Sequence, residues 1–242
     1  MAMGTIHIGT SGWHYKHWKA VFYPEGLKDA DQLAFYTQSF DTVEVNNSFY
    51  RLPIERTFRQ WKETVPDGFL FAVKANRYIT HLKKFHEVKA YTAGFVERAL
   101  NLGEKLGPIL FQLPPFLKEN TRLLTNFVAE LPKGPRYTFE FRNPSWYQQQ
   151  VYEVLKEHNC AFCIYELAGH LSPLEITADF AYVRLHGPEG KYQGTYTDDK
   201  LASWAAQCRT WLEAGVDVFF YFDNDQHAYA PANAKTLREM TA

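Results

Sequence analysis

The chain has 242 residues, close to the roughly 250 of a single (β/α)8 domain, and is 46% hydrophobic, 22% charged and 17% aromatic. Its formal net charge of −1 argues against a globally basic nucleic-acid binder, because phosphate contacts drive non-specific affinity; only a local basic patch stays open. No run of about 18 apolar residues exists, which excludes a helical membrane span, and Met1–Gly9 lacks an apolar signal region, which reads as cytoplasmic.

Eight short apolar runs follow one another: Ile6–Gly9, Val43–Asn46, Phe69–Asn76, Ile109–Leu113, Tyr137–Arg142, Ala161–Tyr165, Ala181–His186 and Val218–Asp223. Most end in a charged or amide side chain, and most gaps between them can hold a helix. Asp29–Phe40 has Leu33, Phe35, Tyr36 and Phe40 at helical spacing, and Glu55–Val65 carries Phe58, Trp61 and Val65. Val88–Leu106, Asn120–Leu131, Trp146–His158, Asp198–Ala214 and Ala232–Met240 read the same way, with Gly107-Pro108 and Gly215 as helix ends. Between Tyr165 and Phe180 there is room for a loop or one helical turn, so a degenerate crossover is expected between strands six and seven. Strand–helix alternation over eight units predicts one TIM-type (β/α)8 barrel spanning 1–242. A doubly wound sheet would want a glycine-rich phosphate loop after the first strand, and Gly9-Thr-Ser-Gly12 is too short for one.

Strand side chains alternate between faces. If Val43, Val45, Phe71, Val73, Phe139 and Phe141 point to the helices, then Glu44, Asn46, Lys74, Asn76, Glu140 and Arg142 point inward. Strand seven places Tyr182, Arg184 and His186 on one face, strand eight places Phe219, Tyr221 and Asp223 together, and Gln112 ends strand four. Buried charges must pair, and Glu44, Glu140 and Asp223 balance Lys74, Arg142 and Arg184, three against three. Barrel active sites lie at the carboxyl ends of the strands, where these groups cluster. The competing reading is an ion-pair network that only fixes the barrel. The loops above add Trp13, Phe49-Tyr50-Arg51, Arg77-Tyr78, Trp146-Tyr147 and Lys191-Tyr192, rings beside cations that suit stacking on a base or sugar next to a phosphate, or that pack loops on the rim.

Several chemistries remain open at this point. His186 could be a general base, a metal ligand or a satisfied core histidine. Glu44, Glu140, His186 and Asp223 could together hold one divalent metal, although only one strand ends in histidine. Glu44 and Glu140 could be a glycosidase acid and base. Lys74 could be a Schiff-base lysine, but carboxylate neighbours are expected to raise its pKa. His7, at the other mouth, reads as structural, and His14, His17, His81, His170 and His227 fall in loops. Cys160 and Cys163, three apart on a strand, are expected to face opposite sides as packed thiols, and three cysteines fit a reducing compartment.

The residues also resemble a known family. Gly9-Thr-Ser-Gly-Trp13 with Tyr15, Trp18 and Phe22-Tyr-Pro24 is similar to the opening of the YecE-like family, domain of unknown function seventy-two. So are Val43-Glu44, Asn46, Phe49-Tyr50, Lys74, Asn76-Arg77, Ile79-Thr-His81, Phe111-Gln-Leu-Pro-Pro115, Glu140-x-Arg142, Ser145-Trp146, Tyr182-x-Arg184-x-His186-Gly187, Ala230-Pro231 and Asn233-Ala234. The resemblance implies a TIM-type barrel without naming a reaction. Asp223 and Ala228 stand where many relatives are expected to carry Asn and Gly. The barrel type broadly resembles those of sugar isomerases and abasic-site endonucleases.

The expected function is therefore a hydrolase, lyase or isomerase acting on a small polar, anionic or sugar-like substrate. Glu44, Lys74, Glu140, His186 and Asp223 are its candidate catalytic groups. Trp13, Asn46, Tyr50, Asn76, Arg77, Gln112, Arg142, Trp146, Arg184 and Tyr221 are its candidate binding groups. Two alternatives are nucleic-acid binding at damaged or single-stranded sites, and a non-catalytic module for a metabolite or partner protein.

Overall fold

The computed structural model describes residues 2–242. Eight parallel strands form a nearly closed barrel: β1 (Ile6–Thr10), β2 (Thr42–Val45), β3 (Leu70–Lys74), β4 (Leu106–Leu113), β5 (Tyr137–Phe141), β6 (Ala161–Leu167), β8 (Phe180–Leu185) and β9 (Asp217–Phe222). They run in the order β1-β9-β8-β6-β5-β4-β3-β2. The expected (β/α)8 barrel is thus the observed one, and the crossover between its sixth and seventh staves is degenerate. It holds only β7 (His170–Leu171), a short strand antiparallel to the end of β6.

The helices are α1 (Gln32–Tyr36), α2 (Asn47–Tyr50), α3 (Glu55–Thr64), α4 (Lys89–Ala99), α5 (Thr121–Ala129), α6 (Gln149–Glu157), α7 (Asp198–Glu213) and α8 (Tyr229–Thr241). Two start on side-chain caps, Asn120 accepting from the Leu123 amide at 3.0 Å and Thr197 from the Lys200 amide at 3.4 Å. Gly215, at φ 81°, ends α7 as expected. Gly107 does not end a helix: it lies inside β4, and the preceding helix gives way after Ala99 to a tighter turn containing Gly103 at φ 59°. Lys105 seals this corner by donating to the Lys62 and Val65 carbonyls at 3.0 and 2.7 Å.

Two cores divide along strand parity. Phe71, Val73, Phe139, Phe141, Val183, Phe220 and Cys160 pack toward the helices, whereas Ala72, Leu110, Cys163, Phe180, Tyr182, Phe219 and Tyr221 fill the barrel. Parallel register keeps inner residues side by side: Gln112 against Glu140, Tyr165 against Arg184, and Arg184 against Tyr221. Cys160 and Cys163 face opposite sides, and all three cysteines are free and buried. His7 closes the lower mouth, stacked on Phe219 and 2.8 Å from Asp41.

The join between β1 and β2 is the exception to this pairing. The two strands meet through one bridge, Ser11 to Glu44, outside any continuous ladder. Here the backbones approach closely, and a Cβ on Gly9 would stand 2.2 Å from the Thr42 carbonyl oxygen. Gly9→Ala should therefore force these strands apart and cost about 1–3 kcal/mol. Urea unfolding would reveal it, and an unchanged midpoint would mean the join yields freely.

Candidate functional site at the carboxyl ends of the strands

The centre of the upper barrel is Arg184, fully buried on β8. Its Nη2 donates to Glu44 Oε1 at 2.7 Å and lies 3.3 Å from Asp223 Oδ2, while Nη1 donates to Glu140 Oε2 at 2.6 Å. One guanidinium thus links carboxylates from three separate segments. Glu44 also accepts from Ser11 Oγ at 2.7 Å and from the Tyr182 hydroxyl at 2.6 Å. Glu140 further accepts from Arg142 Nε. Burial opposes ionisation of Glu140, but Arg142 and Arg184 outweigh it and hold the carboxyl well below its usual range. Asp223 is balanced likewise: burial raises its pKa, and the hydrogen bond with His186 lowers it further.

His186 is fully enclosed. Its Nδ1 lies 2.8 Å from Asp223 Oδ2, and its Nε2 receives Arg142 Nη2 at 2.8 Å and faces Arg184 Nη1 at 3.3 Å. A guanidinium can only donate, so the Nε2 lone pair accepts and the ring proton sits on Nδ1, pointing to Asp223. Arg142 covers this imidazole from above, with its guanidinium carbon 4.7 Å from the Tyr165 ring centroid.

Above the network lies a cavity of about 530 Å³, lined by His81, Gln112, Arg142, Tyr165, His170, Lys191 and Tyr192, among others. A second cavity of about 460 Å³ opens elsewhere, between residues 128–137 and residues 158–160, away from these charges.

The structure brings Glu44, Glu140, Arg142, Arg184, His186 and Asp223 into one bonded cluster, with Lys74 and Gln112 beside it. Other expected residues lie elsewhere. Trp146 is buried against Phe141, its Nε1 donating to the Leu117 carbonyl at 2.8 Å, so it braces the outer layer. Tyr221 sits deep in the barrel, its hydroxyl 2.7 Å from Thr42 Oγ1. Trp13 turns outward, edge-on to Trp61 at 5.3 Å. Asn76 is a loop latch, donating to the Ser48 carbonyl at 2.9 Å and accepting from the Tyr78 amide at 3.0 Å. Tyr50, 73% exposed, and the exposed Arg77 stand on the rim. Asn46 lines a small cavity of about 180 Å³ with Trp13 and Tyr15.

The expected rise in the Lys74 pKa is corrected. Burial, then the charge of Arg184, push it down to about 8, against the opposing pull of the carboxylates. The divalent-metal arrangement is corrected too. Among the described residues no group of three or more His, Cys, Asp or Glu side chains is placed to hold an ion. The Arg184 guanidinium already stands between the carboxylates. Sequence reading missed Ser11 and left Tyr165 unassigned. Tyr165 was within reach, being two residues beyond inward Cys163. His81 and His170, expected in loops, lie on a short helical turn (Tyr78–Leu82) and on the two-residue β7, segments too short for periodicity to mark direction.

Fold and site together define a (β/α)8-barrel protein with an ionised cluster at the carboxyl ends of its strands. Residues 7–242 match the family described as "Protein of unknown function DUF72", and the chain belongs to that family. It is 26% identical over 274 residues to the UPF0759 protein YunF of Bacillus subtilis (strain 168), covering 97% of this chain and 94% of that one. A crystal structure of a DUF72 family protein from Thermotoga maritima MSB8 is 28% identical with a TM-score of 0.88, covering 98% of both chains. Another, from Enterococcus faecalis V583, is similar in fold at 18% identity and a TM-score of 0.83, covering 98% of this chain and 95% of that one. No described helix is long and apolar enough to cross a membrane.

Proposed function

We propose that this barrel is an enzyme of hydrolase, lyase or isomerase type, acting on a small polar, anionic or sugar-like molecule held in the upper cavity. The observation that carries the reading is the position of that cavity over the Glu140–Arg142–His186–Asp223 cluster. Its volume of about 530 Å³ is that of a small-molecule pocket, and its lining offers cations, imidazoles and tyrosine faces. Arg142 and Lys191 would meet negative charge on the substrate. A substrate anion that draws Arg142 away frees the His186 Nε2 lone pair to take a proton, and Asp223 steadies the imidazolium so formed. Glu140 positions both guanidinium groups. Three free, buried thiols support a cytoplasmic setting.

A thermal-shift screen of sugar phosphates and hydroxy or oxo acids should find a compound that raises the melting temperature, since binding to the folded state alone adds about 2.7 kcal/mol at a hundred times Kd. With that compound as substrate, Glu140→Ala and His186→Ala should each lower turnover by roughly 10²–10⁴-fold. Folded variants that both retain full turnover would sink the reading.

A second reading, single-stranded or damaged nucleic acid as ligand, draws on Lys83 over Tyr78, Lys84 over Phe116 and Lys191 over Tyr192. Net charge −1 weighs against it. Absence of oligonucleotide binding by polarisation at low salt would remove it.

A further inference from the structure

Five of the six charged groups in the barrel mouth have partners: Glu44, Glu140, Asp223, Arg142 and Arg184. Lys74 has none. Among the described residues no carboxylate oxygen lies within 4.0 Å of its Nζ, and it donates no hydrogen bond. The residue keeps 9% of its surface, and its Nζ is not among the sealed polar atoms that lack a partner. Its backbone is fixed by Ser48 Oγ, which donates to the Lys74 carbonyl at 2.6 Å. Its Nζ lies 4.6 Å from the centroid of the Phe49 ring, and His81 stands edge-on to the same ring at 4.9 Å. His81 also lines the upper cavity.

A lysine meant to hold an anion gains by staying charged. This one is placed where charge is costly: it is buried without a carboxylate partner and close to Arg184, and the face of Phe49 offsets only part of that cost. The cations of the cavity are already supplied by Arg142 and Lys191. An amine in such surroundings is a nucleophile rather than a counter-ion.

We propose that Lys74 forms an imine with a small aldehyde or ketone carrying a polar or anionic tail, which makes a carbonyl compound the substrate class of this barrel. The inference rests on the reading of the upper cavity as a substrate site. In the step, the ammonium first gives up a proton and the Nζ lone pair adds to the carbonyl carbon. The C–N bond forms as the C=O π pair moves to oxygen. The hydroxyl of the carbinolamine then leaves as water, carrying the proton the ammonium released, and a protonated imine remains. Solvent takes the proton and returns it to the leaving hydroxyl; His81, whose pKa burial, Lys74 and Arg77 push down to about 4, stays neutral and adds no positive charge beside the imine. Glu44, Glu140, Asp223 and Arg184 face the amine from the other strands.

The test is reductive trapping of the full chain. Equimolar glyoxylate and cyanoborohydride at neutral pH, followed by peptide mapping, should place the adduct on Lys74 about tenfold over any surface lysine, since an amine of pKa near 8 is far less protonated than one near 10.4. The preference should vanish in urea, and K74R should lose this adduct alone. Adducts spread evenly over surface lysines, or a preference that survives unfolding, overturn the proposal. Trapping at Lys74 with no ligand found by thermal shift supports the amine while the substrate-site reading falls. A ligand bound in the cavity with Lys74 untrapped by glyoxylate overturns the imine alone.

Discussion

Replacement of Arg184 by methionine should cost about 3–5 kcal/mol, the usual penalty for stranding a buried charge. For a domain of this size that corresponds to roughly 6–20 °C in melting temperature. The loss comes from what remains. Glu44 and Glu140 are fully buried, and Arg184 serves both. Without it Glu44 keeps Ser11 and Tyr182 as neutral donors, and Glu140 keeps Arg142. Adding Glu44→Gln should recover part of the loss, as coupled neighbours do. The pH dependence carries a sign. Burial raises the Glu140 pKa, but the two arginines depress it further, so its folded value lies below its unfolded value. Such a group contributes stability that is present above about pH 4.3 and lost as pH falls through the folded value. The gap between wild type and variant should therefore narrow below about pH 4. Urea titrations at several pH values measure this, and equal stability of the two chains at neutral pH would show that the network carries no net attraction.

Lys74→Met should do the opposite and stabilise the fold at pH 7 by about 2–3 kcal/mol. Burial and Arg184 lower the Lys74 pKa to about 8, so the folded protein holds the ammonium at a cost below that pH. Between about pH 8 and 10.4 the unfolded chain still binds a proton that the folded chain has released. Stability then rises with pH, and the advantage of the variant shrinks across that window. Calorimetric scans at pH 7 and pH 10 test both parts. A variant less stable than wild type at pH 7 would mean that the carboxylates outweigh burial after all. A gain in stability together with loss of trapping is the trade expected of a group retained for chemistry.

The barrel was legible because two periodicities agree. Alternation along β2, β3, β5, β8 and β9 set Glu44, Lys74, Glu140, Arg184 and Asp223 on one side, and the helical spacing between runs supplied the outer layer. Parity alone found the bonded cluster, because a parallel barrel has only one interior. It could not rank the members: which cation lacks a partner depends on side-chain length and strand height, and Lys74 sits beside Leu110 while Arg184 reaches three carboxylates. The loops were harder. Trp13 and Trp146 read as rim aromatics, yet one packs on Trp61 and the other on Phe141. Nothing in a loop sequence says whether an apolar ring turns toward helix or cavity.

The bridge between Ser11 and Glu44 makes a single side chain serve two ends. Glu44 is both the latch of the least-zipped pair of staves and an anion in the central network. Closure of the cylinder at its weakest seam thus shares a carboxylate with the Arg184 ion pair, and a substitution at Glu44 disturbs both together.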